Sequence, residues 1–300
     1  ASIARSGALA LASILIVACT TPPTAVPPEL APAELAPPAD AFAPGDNEMS
    51  PDPVGASAVE IGSIESAWGC TVDYEYYEAA GPAAPSLEGV TPGLVVLGHG
   101  FMRNLSAMRG WARAWSGRGL RTVVVSFCNS SIFNGRHDRN AADLVAVATH
   151  IEPGDAPVVY AGFSAGGLSA LLAADRDPRA VAYLGLDPVD SGDLAATVDR
   201  LRMPALFLFG APSRCNAQNN MADVMPEADV RIALRVPFAS HCDFEVPHDD
   251  ACERICGGVE PQRTAREVRT TIRALATAWV TAHLGATPDV EQTSPNFGQP

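Results

Sequence analysis

The chain has 300 residues, 47% of them apolar, enough for a sizeable core in one large or two small domains, and this excludes a peptide, a knotted miniprotein and a coiled coil. Twenty basic residues against 34 acidic ones give a net charge of −14, the wrong sign for following a phosphate backbone, so no nucleic acid partner is expected. Lysine is absent altogether, which removes lysine nucleophiles, Schiff bases and P-loop cations from the possible chemistries.

Arg5 is followed by a short apolar run, residues 6–18 (SGALALASILIVA), too short to span a bilayer but suited to a secretory signal peptide over residues 1–18. It closes on Ile16-Val17-Ala18-Cys19, which resembles a bacterial lipobox, so Cys19 is the expected lipidation site and a lipid anchor the expected link to a membrane. The alternative is an ordinary secreted protein that loses Cys19. Residues 19–58 turn to Pro, Ala and acidic residues with little to build a core, as a tether does, and residues 287–300 form a similar tail. Between them, residues 59–286 hold one catalytic domain with no internal repeat. Without Cys19, six cysteines remain: Cys70, Cys128, Cys215, Cys242, Cys252 and Cys256. An even number in an exported chain predicts disulfides; zinc is the competing reading, and no pair has CxxC spacing.

Within the domain, residues 71–78 (TVDYEYYE) alternate with period two and predict an antiparallel edge strand. Short apolar runs follow at residues 93–97, 121–127, 157–162, 180–186 and 205–209, with a more alternating one at 230–236. Helical patterns lie between them: Met108, Trp111, Ala112 and Trp115 share one face, and Leu144, Val145, Ala148 and Ile151 share another. A last helix near residues 263–284 lines up Val268, Ile272, Leu275 and Trp279, with Arg266, Arg269 and Arg273 off that stripe. This alternation predicts an α/β fold with a mostly parallel sheet, whose ligands bind at the carboxyl ends of the strands.

Three strand ends carry chemistry. Gly162-Phe163-Ser164-Ala165-Gly166 is a G-x-S-x-G between a strand and a small-residue helix start, the setting of a strained turn that presents Ser164 as a nucleophile. The plainer reading is a strand-to-helix turn with a capping serine. The strand ending Gly98-His99-Gly100-Phe101 offers the Phe101 amide to face the serine and form an oxyanion hole with the amide of Ala165, while His99 shapes the loop. The third end, Leu186-Asp187-Pro188-Val189-Asp190, supplies a carboxylate to orient a histidine. The loop after the next strand, residues 210–216 (GAPSRCN), has no carboxylate, so the role goes to Asp187, with Asp190 as the nearby substitute and Asp223 more distant. The base must follow the acid, leaving His241, His248 and His283. His241 follows the last strand by a short loop; His248 sits in an acidic stretch that suits a surface residue or a weak cation site, and His283 lies on the final helix.

Together these motifs make residues 64–285 resemble the α/β-hydrolase superfamily, in particular lipases, chlorophyllase and bacterial polyester-hydrolase or lipase-like esterases. Phe163 stands where a histidine is more usual, and the acid comes one strand early. The resemblance implies carboxylic-ester hydrolysis by acyl transfer with Ser164, His241 and Asp187 as the triad, an ester substrate as the partner, a monomer, and no metal or organic cofactor. A non-catalytic binding protein and a serine peptidase are the rivals. Fewer than twenty residues separate Asp187 from the strand at Ala205, so no large cap domain is expected and the cleft should be open. The loop carrying Cys215 and the segment carrying Cys242, Cys252 and Cys256 both leave strand ends at the catalytic face, so a disulfide between them is expected, fixing the His241 loop.

Overall fold

A computed structural model of the chain describes residues 59–80, 92–131, 134–192, 197–256 and 265–284. The expected signal peptide, Cys19, the tether and the tail lie outside the described residues.

The elements run β1 (Val59–Glu65), β2 (Thr71–Tyr77), β3 (Leu94–Gly98), α1 (Arg109–Ser116), β4 (Arg121–Ser126), β5 (Ser130–Ser131), β6 (Asn134–Gly135), α2 (His137–Ile151), β7 (Val158–Phe163), α3 (Ala165–Arg176), β8 (Ala180–Leu186), β9 (Ala205–Phe209), α4 (Met221–Val224), β10 (Arg231–Arg235), α5 (Asp250–Cys256) and α6 (Ala265–Leu284). Eight strands form one sheet in the order β1-β2-β4-β3-β7-β8-β9-β10. Strands β4 to β10 of that sheet pair in parallel, and β2 pairs antiparallel with both β1 and β4.

Every residue of β3, β7 and β9 is buried, because both faces of the central sheet are covered. Successive side chains alternate between two cores. Leu94, Val96, Val158 and Tyr160 pack on the side of α2 and α3. Val95, Leu97, Val159 and Ala161 pack on the side of α1 and α6. Met108, Trp111, Ala112 and Trp115 supply that second layer and are at most 1% exposed. In α2 the covered face is Asn140, Ala141, Leu144, Val147 and Ala148; Val145 and Ile151, expected inside, lie at its rim. Along α6 the stripe starts with Val268 and Ile272 but continues through Ala276 and Val280, with Leu275 and Trp279 half-buried beside it. Small alanines let the helix approach the sheet closely, and the Trp279 indole donates to the Tyr183 carbonyl at 3.0 Å.

The expected edge position of the polar strand is corrected: β2 is antiparallel but lies inside the sheet, because β1 covers it. Strand β1 is hard to read because its core side is thin: Ile64 packs against the core only in part, Ile61 is 75% exposed, and Gly62 is bare so that the Tyr74 ring can lie across it. Register places the chemistry: Gly98 aligns with Gly162, Gly162 with Gly185, and Leu186 with Leu208, so the loops leaving β3, β7, β8 and β9 emerge side by side.

Candidate active site

Ser164 lies between β7 and α3 with φ 54° and ψ −125°, a conformation that non-glycine residues rarely adopt. The surroundings hold it there: the Ser164 amide donates to the Leu186 carbonyl at 3.0 Å, and its carbonyl accepts from the amides of Gly167 at 2.9 Å and Val189 at 3.1 Å. The flanking glycines are steric necessities. A side chain at Gly162 would overlap the Gly166 carbonyl, and one at Gly166 would overlap the His99 carbonyl.

His241 opens a short 3-10 turn, His241–Phe244, capped by Ser240, whose backbone N–H and hydroxyl both donate to Asp243, at 2.8 and 3.0 Å. Its Nε2 lies 3.1 Å from Ser164 Oγ and its Nδ1 lies 2.6 Å from Asp187 Oδ2. The Phe163 ring packs 4.7 Å from the imidazole, centroid to centroid, so the residue in place of the more usual histidine walls one side of the His241 ring.

Asp187 is fully buried, and every polar neighbour of its carboxylate is a donor. The Gly210 amide donates to Oδ1 at 2.9 Å and Asn216 Nδ2 to Oδ2 at 3.1 Å, beside the imidazole. Asn216 is itself held, donating to the Ala211 carbonyl at 2.8 Å and accepting from the Ser213 amide at 2.7 Å. A carboxylate surrounded in this way accepts, so Nδ1 of His241 carries the hydrogen and Nε2 is free to accept from the Ser164 hydroxyl. Nothing in the sequence singles out Asn216, whose loop stands out only for lacking an acid; it contributes a donor to the acid instead. Asp190 is placed elsewhere, its backbone exchanging hydrogen bonds with the Asn220 side chain, and Asp223 lies on the exposed side of α4.

Phe101 and Ala165 line one small pocket with His99, Gly100 and Gly166. Among the described residues, no backbone hydrogen bond outside the helices and strands uses either amide. His99 shapes this loop: its Nδ1 donates to the Gly100 carbonyl at 2.7 Å and its Nε2 accepts from the Phe127 amide at 3.0 Å. Burial pushes its pKa down to about 4, so the ring is neutral and can play both parts at once. A second buried imidazole, His137, borders the same pocket with Asn140, and burial lowers its pKa too. The sequence singles out neither His137 nor Asn140, because nothing in their spacing reveals that α2 starts beside the serine loop.

The opening is narrower than the short β8–β9 connection suggests, with Ser164 and His241 each 6% exposed. Phe163 and the Gly100 backbone close around the serine. All six described cysteines are paired: Cys70 with Cys128, Cys215 with Cys256 and Cys242 with Cys252. The Cys215 loop is thus bridged to the segment beyond His241, and no thiolate remains in that cluster to hold zinc. His248 gathers with Asp243 and Glu253, their ligand atoms within 4.8 Å of one another, which is the donor set of a weak cation site. Asp243 and Glu253 already accept from Ser240. His283 sits on α6, donating to the Trp279 carbonyl at 2.8 Å, away from the serine.

No protein-family model matches the chain, and no curated protein matches it. Solved structures do. A cold-adapted esterase from an Arctic intertidal metagenomic library is 17% identical, with 75% of this chain and 94% of that one covered at a TM-score of 0.53. A ferulic acid esterase from Streptomyces cinnamoneus is 17% identical, covering 76% and 88% at 0.52. A dienelactone hydrolase from Anabaena variabilis is 20% identical, covering 75% and 99% at 0.50. At these identities the likeness is one of fold alone, and the chain has the α/β-hydrolase fold.

Proposed function

We propose that the chain hydrolyses carboxylic esters through an acyl-enzyme formed on Ser164. The observation that carries this is the continuous relay from Ser164 Oγ to His241 Nε2 at 3.1 Å and from His241 Nδ1 to Asp187 at 2.6 Å, with Ser164 and Asp187 at the ends of the adjacent parallel strands β7 and β8. As Ser164 attacks the ester carbonyl, its proton passes to His241 Nε2, and the Asp187 carboxylate stabilises the resulting imidazolium. The negative charge on the former carbonyl oxygen is met by the amides of Phe101 and Ala165. His241 then gives its proton to the departing alcohol, and a water attacks the acyl-enzyme by the same route, releasing the acid and restoring the serine.

Labelling with a fluorophosphonate tests the nucleophile, and a chain-length series of p-nitrophenyl esters beside a p-nitroanilide separates esterase from peptidase. Ser164→Ala should abolish both labelling and turnover while the circular dichroism spectrum stays unchanged. Retained turnover in that variant would overturn Ser164 as the nucleophile, and a wild-type protein inert to the phosphonate and to every ester would leave a binding protein on a hydrolase fold.

We propose separately that the domain is held at a bacterial cell envelope by a lipid on Cys19, with residues 20–58 as spacer. The support is the lipobox-like Ile16-Val17-Ala18-Cys19 after an apolar run. Expressed with this leader, the protein should partition into detergent, and Cys19→Ser should shift it to the aqueous phase; equal partitioning of both would mean simple secretion.

A further inference from the structure

The loop that carries the Phe101 amide is fixed at its two ends and uncovered in the middle. At one end His99 bonds the Gly100 carbonyl and the Phe127 amide. The middle is a turn closed by the Arg103 amide donating to the Gly100 carbonyl at 3.2 Å, with Met102 at φ 57°. Phe101 is 37% exposed and Met102 67%, so no core packing sets the position of that turn. At the other end the Arg103 guanidinium reaches across to the histidine loop, where Nε donates to Glu245 Oε1 at 2.7 Å and Nη2 to Oε2 at 3.3 Å.

Glu245 comes directly after the His241–Phe244 turn and is fully buried. Burial pushes its carboxyl up and Arg103 pulls it back, as expected of a buried acid whose partner is one guanidinium. Such a pair adds little net stability compared with apolar side chains of similar size, but its two-pronged geometry defines a register between the segments that it joins. A second arm of Arg103, Nη1, lies 3.0 Å from Asp249 further along the same loop. Backbone bonds dock the two loops nearby: the Val246 amide donates to the Ala107 carbonyl at 3.0 Å and the Gly110 amide to the Val246 carbonyl at 2.8 Å. Those bonds hold residues beyond Arg103; the Phe101 N–H shares its peptide plane with the Gly100 carbonyl, which accepts from His99 and from the Arg103 amide, so the guanidinium acts on the turn through the Arg103 backbone.

We propose that Arg103 and Glu245 are positioning residues that register the oxyanion loop against the histidine loop, so that the Phe101 amide and the His241 imidazole address the same tetrahedral centre. The inference rests on the ester-hydrolase reading of Ser164. Neither side chain takes part in proton transfer. Loss of the clamp leaves the triad intact and lets the amide drift, which weakens binding of the transition state more than that of the substrate.

The test compares Arg103→Met, Arg103→Lys, Glu245→Gln and the Arg103→Met/Glu245→Gln double variant on a p-nitrophenyl ester, with rates divided by active sites titrated with a phosphonate, so that only folded enzyme counts. Arg103→Met and Glu245→Gln should each lower kcat by roughly 10- to 100-fold, the scale of an ångström misplacement near the reacting atoms, with KM changed by less than about threefold. The double variant should be no worse than the worse single one, and Arg103→Lys should recover part of the loss. Affinity for an alkylboronic acid, which becomes tetrahedral on the serine, should fall in step with kcat/KM. A kcat per titrated site within twofold of wild type, or a loss confined to KM, overturns the clamp while leaving the esterase reading in place. A wild-type protein that neither labels nor turns over overturns both.

Discussion

Asp187→Asn exchanges one oxygen for an amide nitrogen, and the donors around the carboxylate determine the damage. If the new oxygen keeps the place of Oδ1, it still accepts from the Gly210 amide, and the new NH2 then faces both His241 Nδ1 and Asn216 Nδ2. Asn216 cannot turn its own oxygen towards it, because its amide is pinned by the Ala211 carbonyl and the Ser213 amide. The imidazole can respond only by moving its hydrogen to Nε2, where it can no longer accept from Ser164. If the oxygen instead takes the Oδ2 position, His241 keeps its tautomer, but the NH2 meets the Gly210 N–H, donor against donor, at a separation that is 2.9 Å in the native pair. Either arrangement leaves one buried donor pair unsatisfied, at a cost of about 1–3 kcal/mol in stability, and both remove the negative charge that stabilises the imidazolium. Turnover should fall by about 10⁴, or about 5 kcal/mol of transition-state stabilisation. Ester hydrolysis per fluorophosphonate-titrated site, together with urea unfolding, reads both quantities. Asp190→Asn should stay within a few-fold of wild type. A loss below tenfold in Asp187→Asn, or a larger loss in Asp190→Asn, would refute the assignment.

The cross-links and the buried histidine give two more expected outcomes. Replacing Cys215 and Cys256 together by Ala opens a bridge that spans 41 residues and should cost about 4 kcal/mol in the chain-entropy account, lowering the unfolding midpoint in urea. In the native protein, mild reduction should lower turnover before the near-ultraviolet dichroism of the core is lost, and simultaneous loss of both would show that the bridge does not act through the His241 loop. For His99 the folded pKa, about 4, lies below the ordinary value of 6.5, so the unfolded chain binds the proton first. Its contribution is therefore present above pH 6.5 and is lost as pH falls towards 4, by up to about 3 kcal/mol. His99→Gln should flatten that part of the stability–pH curve, and an unchanged slope in this variant would mean that other groups set it.

Much of this arrangement was legible in the sequence because it depends on local pattern. An apolar run that ends in Gly-x-Ser-x-Gly identifies a buried strand, a tight turn and a helix start in one stretch, and β8 and β9 were bounded to the residue. Pairing was less legible. In strand β1 Ile61 is exposed and only Ile64 packs against the core, so β2 looked like an edge although its pattern and antiparallel sense were readable. Ser164, Asp187 and His241 could be ordered along the chain by strand ends, whereas the residues that hold them could not. Asn216, Glu245 and Arg103 act across separations of 29 and 142 residues, and nothing in their own neighbourhoods distinguishes them from ordinary loop residues.

The supports also explain how a site with a strained serine and a buried carboxylate holds its shape. Ser164 and Asp187 both take positive φ, and each is fixed by backbone bonds to a neighbouring strand end: the Ser164 amide to Leu186, the Asp187 amide to Leu208 at 2.7 Å. Because the strands are in register, each strained turn rests on the end of the next strand, and the cost of its conformation is carried by the sheet. The histidine alone comes from outside this set of parallel ends. Its loop has to be held by other means, and the two disulfides, the Ser240–Asp243 cap and the Arg103–Glu245 pair all converge on the few residues around it. The placement of His241 and of the Phe101 loop therefore depends on cross-links between loops, whereas the placement of Ser164 and Asp187 depends on the sheet. Variants of the Arg103–Glu245 pair should change turnover with little change in global stability, whereas loss of a disulfide, or a variant at the strand ends, should change both.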